Sequence, residues 1–266
     1  MNDEKAARLA AIRAANAARA SAAAPAAVPS QRATLPPADE FADLPPAMAP
    51  HTLLLILLAS MAGALAAAVA LPAWLPQLSG SLLGAEPKAY WYLARSSAMV
   101  AYTLLWVSMM LGVTMTNKLA RVWPGGPVAF DVHQHTSLLG LAFALFHALV
   151  LLGDHYMNYS LAQLLVPFAS AGYKPLEVGL GQVALYLLAI VGLSFYARRL
   201  IGRKLWRAIH FLSFALFVLA LLHGIGSGSD GAAPLVRGLY WGSGASLLFL
   251  SIYRVLVAAT PRAARA

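Results

Sequence analysis

Trp206-Arg-Ala-Ile-His210-Phe-Leu-Ser213-Phe-Ala-Leu-Phe-Val-Leu-Ala-Leu-Leu-His223-Gly224 decides how the rest of the chain is read. After Arg207 it carries no formal charge, and a run of about 20 apolar residues is what an α-helix needs to cross a bilayer. Two histidines stand in it thirteen residues apart, one near each end. An earlier apolar stretch repeats the arrangement with His133 and His147, fourteen apart.

The surrounding composition agrees. Of 266 residues, 60% are apolar and 11% charged, so the expected class is an all-α membrane protein rather than a soluble domain. The net charge of +9 fits cytoplasmic loops of such a protein better than a nucleic-acid surface, and no nucleic-acid partner is expected. Cysteine is absent, which excludes disulfides, thiolate metal sites, iron–sulfur clusters and cysteine catalysis. Histidine, methionine and carboxylates remain as candidate ligands.

Residues 1–50 read as an Ala- and Pro-rich cytoplasmic tail, with Arg8, Arg13 and Arg19 spaced through an exposed basic helix and a flexible linker from Pro25 to Pro50. Binding of that helix to a lipid surface is the alternative. No apolar signal-peptide core is expected there. Six spans follow, at about 52–75, 97–115, 133–152, 180–200, 205–225 and 239–258, so 51–259 form one six-helix bundle and 260–266 a short basic tail. The second span is approached by an amphipathic segment whose Tyr90, Trp91 and Tyr92 suit a membrane–water interface. Fifteen of the 19 lysines and arginines fall on one side of this arrangement, among them Lys118, Arg121, Arg198, Arg199, Arg203, Lys204 and Arg207. Only Lys88, Arg95, Lys174 and Arg237 fall on the other. The positive-inside rule therefore puts both termini in the cytoplasm.

Spans three and five then run parallel. His133 and His210 lie near the inner face, and His147 and His223 near the outer face. Each level receives one imidazole from each helix, and two imidazoles fill both axial positions of a haem iron, a closed site suited to electron transfer. The two levels are roughly 20 Å apart along a helix. At about 100° per residue, fourteen residues return to within about 40° of the same face, whereas thirteen fall about 140° away. The fifth span must deform to aim both of its histidines together, and Ser213 is a candidate for bending it by bonding back to a carbonyl. His135 is the poorer partner for His147. His51 and His155 belong to loop ends and are read as solvated, with a role for His155 at an electron acceptor or metal ion as the alternative. Packing or interfacial roles are the alternative for the other histidines.

Arg203, Lys204 and Arg207 precede His210 closely. They serve the topology and suit haem propionates, which need cationic partners near an interface. Trp206 is an interfacial anchor or a haem-edge residue. Gly140, Ala142, Ala144, Ala148 and Gly192 permit close packing or leave room for a flat cofactor.

Five segments, Ala89-Tyr-Trp-Tyr-Leu-Ala-Arg95, Asp131-Val-His133 through His147-Ala-Leu, Val166-Pro-Phe168, Gly202-Arg-Lys-Leu-Trp206-Arg-Ala-Ile-His210 and His223-Gly224-Ile-Gly-Ser-Gly228, together resemble the ferric reductase-like transmembrane domain over about 90–257. That family includes eukaryotic ferric reductases, NADPH oxidases and the haem-bearing subunit of a bacterial methionine-sulfoxide repair system. The resemblance implies two b haems, His133 with His210 and His147 with His223, in a bacterial plasma (inner) membrane. Larger members carry a flavin and nicotinamide module, but no Gly-rich dinucleotide turn is found here, and Ser97-Ala98 stand where members often have glycine. A separate donor, flavoprotein or quinol, is therefore expected, with ferric iron or a redox protein as the extracytoplasmic acceptor. The expected activity is that of an oxidoreductase component. The rival class is a transporter or channel using intramembrane histidines for protons or metal ions. That class calls for acidic residues inside the spans, whereas Asp and Glu are read here as confined to tails and loops. An anchor or assembly subunit is a third reading.

Overall fold

The computed structural model describes residues 45–74, 88–122 and 124–259. The described residues are helical, without a strand. They form α1 (Pro50–Trp74), α2 (Lys88–Thr116), α3 (Gly126–Val150), the short α4 (Leu161–Leu165), α5 (Pro175–Ile201), α6 (Arg203–Phe211), α7 (Ser213–Ser227) and α8 (Pro234–Ala259). Six segments are long and apolar enough to cross a membrane: α1, α2, α3, α5, the α6–α7 pair and α8. The chain is thus a multi-pass membrane architecture. Exposed Leu54, Leu55 and Leu58 on α1 and Leu248, Phe249, Ile252 and Val255 on α8 form outward apolar rows, which are unfavourable in water and ordinary against lipid. Of the tail expected over 1–50, residues 1–44 lie outside the described residues, as does the basic end 260–266. The last residues of the expected linker are described and packed, with Met48 buried and the Ala47 N–H donating to Gln134 Oε1 at 3.1 Å.

Several helices begin earlier than their hydropathy suggests. The second starts at Lys88, so the aromatic approach is its own first two turns. The third, fourth and sixth spans start at Gly126, Pro175 and Pro234. Proline near each start has no N–H to lose and a preset φ, which suits the first helical turn. With these boundaries Asp131 and Glu177 belong to the N-terminal turns of spans, which corrects the expectation that carboxylates are confined to tails and loops.

Tyr90 is a second correction. It is fully buried rather than interfacial, and its hydroxyl donates to Ala67 O (2.7 Å) and Ala68 O (3.0 Å) of α1. A Cβ on Gly153 would come within 2.5 Å of the Tyr90 ring, so glycine there makes the pocket. Tyr90→Phe keeps the ring and removes the bond. It is expected to cost about 1 kcal/mol, read as a lower thermal midpoint in detergent, whereas Tyr92→Phe, at an exposed position, should leave the midpoint unchanged.

The most extensive contact joins α2 to α3, where Gly140 lets Leu104 and the Ala101 carbonyl approach. Further contacts join α5 to α7, α1 to α3, α2 to α8 and α3 to α5. The backbones of α3 and α7 are not a closely packed pair; each leans on α2 and α5 instead. Tyr102, Leu105, Met109, Leu188, Leu216, Phe217 and Leu247 fill the centre.

The fifth span is jointed. Helix α6 ends at Phe211, Leu212 N–H bonds back to His210 O and Ile209 O, and α7 starts at Ser213. Bonds to i−3 tighten the turn beyond the α-helical pitch. The deformation expected near Ser213 is a backbone irregularity at Leu212, one residue earlier.

Candidate functional site

Helix α3 carries His133 and His147, α6 carries His210 and α7 carries His223. The joint at Leu212 lies between the last two, so the thirteen-residue interval is not one ideal helix. His133 and His210 have ring centroids 6.0 Å apart with planes at 74°; His147 and His223 lie 6.2 Å apart at 64°. The four residues meet in the two pairs that the spacing implies. His51, His135 and His155 are exposed, and His135 bonds only its own helix, at Asp131 O (2.8 Å).

Three of the four imidazoles are held through Nδ1 by a backbone carbonyl of a different span. His133 meets Ser108 O, His147 meets Ala94 O and His223 meets Glu177 O, each at 2.8 Å. An Nδ1–H engaged in this way fixes the tautomer that leaves a lone pair on Nε2, the usual outer support of a metal-binding histidine. Ser108 Oγ adds a contact to His133 Nδ1 at 3.0 Å and pairs with Ser137 Oγ at 2.6 Å. Ser227 Oγ donates to His223 O at 2.6 Å. Two glycines clear space for the rings: a Cβ on Gly112 would stand 3.3 Å from His133 Cε1, and one on Gly181 would stand 2.5 Å from His223 Nδ1.

His210 is supported differently. Trp206, one turn earlier, stacks on it with centroids 5.4 Å apart and planes at 29°. Phe195 packs on the indole at 6.1 Å. The Trp206 Nε1–H is buried and finds no hydrogen-bond acceptor among the described residues, an expensive state for a donor unless a ligand or water completes it. Arg203 and Arg207 lie on the exposed side of α6. Arg198, which the sequence reading treated only as a topological cation, is buried; it donates to Phe195 O (2.7 Å) and covers the Phe195 ring at 3.8 Å.

Between the two levels lies an aromatic layer that the sequence reading did not identify. Tyr102 of α2 stacks on Phe217 of α7 (6.0 Å, 29°) and meets Tyr240 of α8 edge-on (5.2 Å). Its hydroxyl is 2.6 Å from Ser243 Oγ. Phe217 sits midway between His210 and His223 in sequence, a visible signal; nothing in the sequence around Tyr102 marks it.

Among the described residues no three His, Asp or Glu side chains gather into a metal-binding group. A site with two protein nitrogens suits a metal whose other ligands come from a cofactor, whereas protein-only zinc sites use three or four protein ligands.

A family model described as a domain of unknown function (DUF8596) matches residues 89–230, just over half of the chain. No curated protein and no solved structure matches the sequence.

Proposed function

The chain belongs to the DUF8596 family, which assigns no activity, and we propose from the site itself that it is a di-haem b electron carrier of the membrane. Electrons pass from a cytoplasmic flavoprotein or a quinol to an extracytoplasmic acceptor, ferric iron or a redox protein. The observation that carries this reading is the pair of ring separations, 6.0 and 6.2 Å, across helices whose backbones do not pack together. A metal–imidazole bond of about 2.0 Å plus roughly 1.1 Å from nitrogen to ring centre, taken twice, is about 6 Å. The separations therefore fit one metal between each pair.

His133 with His210 would hold the inner haem, and His147 with His223 the outer. Bound there, a haem supplies a one-electron Fe(II)/Fe(III) couple with no open coordination position. The carbonyls of Ser108, Ala94 and Glu177 keep three imidazoles oriented and basic. The orphan Trp206 N–H is a donor suited to a propionate at the inner level, and Arg203 and Arg207 supply compensating charge. The motifs over about 90–257 that resemble ferric reductase-like domains point to the same assignment. The lysine and arginine distribution supports cytoplasmic termini, and the proposed location is a bacterial plasma membrane.

An absorption spectrum of the purified protein, before and after dithionite, tests the reading. Reduction should give b-type α-bands, split if the two levels differ. A preparation that stays colourless after haem supplementation overturns it and leaves the transporter reading.

A further inference from the structure

The segment 151–174 joins the ends of α3 and α5 at the level of His147 and His223. From Tyr156 to Tyr173 it holds no lysine, arginine, aspartate or glutamate. Within it α4 opens on a capping box, in which Ser160 Oγ accepts from the Gln163 N–H and Gln163 Oε1 from the Ser160 N–H. The carbonyls at its other end are met by α5 instead. Gln182 Nε2 donates to Gln163 O (2.6 Å) and Leu164 O (2.9 Å), and the Tyr186 hydroxyl donates to Leu165 O. Gln182 Oε1 accepts from the Phe168 N–H at 3.0 Å, and Gln182 is itself buried. Phe168, in the left-handed region at φ 64°, lays its ring against Gly179, where a Cβ would clash with it.

These contacts fix the height of the segment. Gly179 and Gln182 stand four and seven residues into α5, about 6 and 10 Å along a helix of 27 residues that is about 40 Å long. That length matches a bilayer with its headgroups, which take roughly 5–7 Å on each side of a ~30 Å apolar core. Residues 161–168 then lie just beneath the headgroups. Carbonyls that face water are solvated without help, whereas at this depth those left open by a helix end must be met by protein. Here a buried glutamine and a tyrosine of α5 meet them. The outward side chains agree. Leu161, Leu165, Val166 and Phe168 are exposed, and the surface runs on without a charge into exposed Tyr186, Ile190 and Leu193, one face of a helix able to cross the membrane.

We propose that 161–168 is a re-entrant membrane element. Its apolar side seats among the acyl chains of the leaflet on the His147–His223 side, and the bilayer itself is its partner. The assignment needs no haem.

The chain has no cysteine, so single-cysteine variants of the full chain can carry a nitroxide label directly. Labelled protein is placed in vesicles of phosphatidylethanolamine and phosphatidylglycerol. Spin relaxation is then read with oxygen, which concentrates among acyl chains, and with a neutral nickel chelate, which stays in water. The ratio of the oxygen effect to the nickel effect at Leu161→Cys and Leu165→Cys should match that at Ile190→Cys. It should be several times the ratio at His155→Cys, an exposed position ahead of the uncharged stretch. A stronger nickel effect at both test positions overturns the proposal and makes the patch a face for a water-soluble partner. Little relaxation by either reagent at both also overturns it, since protein then covers them. Neither result bears on the dithionite spectrum that tests the electron carrier.

Discussion

His147→Ala is expected to lower the haem content from two to about one per chain, by pyridine haemochrome, and to remove one component of the reduced α-band. Each level draws on only two protein nitrogens, so nothing nearby replaces the lost ligand; His155 is exposed and His135 is tied to its own helix. The loss should be local. His147 leans on Ala94 O of α2, whereas the inner pair leans on Ser108 and Trp206, two helical turns or more away. The remaining component should therefore keep its band position, and His133→Ala should remove the complementary one. Equal haem content in wild type and both variants would sink the assignment of ligands. Loss of both components in each single variant would sink the independence of the two levels.

Gly181→Ala should reach the same outer level without touching a ligand. The new Cβ would stand 2.5 Å from His223 Nδ1, the atom that bonds Glu177 O at 2.8 Å. An imidazole is rigid, so the ring must shift and its outer bond break. Loss of such support costs roughly 10–100-fold in metal affinity, and the outer component should fall accordingly in haem titrations. Alanine in place of glycine within a helix otherwise favours the helix by about 1 kcal/mol, so this variant is expected to lose cofactor without a matching loss of thermal stability. Gly112→Ala is the control. Its Cβ would approach His133 Cε1 no closer than 3.3 Å, which a small ring movement relieves, and the inner component should persist. If Gly181→Ala binds two haems with wild-type affinity, His223 does not occupy the orientation described.

The histidine pairing was legible because it rests on counting. Two apolar stretches, parallel by the parity of spans, each carry histidines thirteen or fourteen apart, and the rings do meet in those pairs. What holds the rings was not legible. Ser108, Ala94 and Glu177 act through backbone oxygens, which every residue type possesses, so no side-chain pattern announces them. The helix starts were legible but misread: Pro127, Pro175 and Pro234 each mark a first turn, while averaged hydropathy delays the start until the apolar residues begin. Tyr90 was misplaced because an aromatic near a span end is usually interfacial, and only the contact with α1 and Gly153 makes it a core residue. That the fifth span deforms near Ser213 was legible from the thirteen-residue interval, but the backbone form of the joint at Leu212 was not, since no proline or glycine marks it. Its neighbours are ordinary helix formers, and the irregularity belongs to the tertiary arrangement that brings His210 and His223 to their partners.

That joint separates the tuning of the two ends of the span. A rigid rod would transmit any tilt at the cationic end to His223, more than four turns away. Because the break lies two residues past His210, a change of angle in α6 would, on the proposed reading, bear on His210 before it reached His223. On the proposed reading, the inner level could then adjust while the outer ring keeps its place.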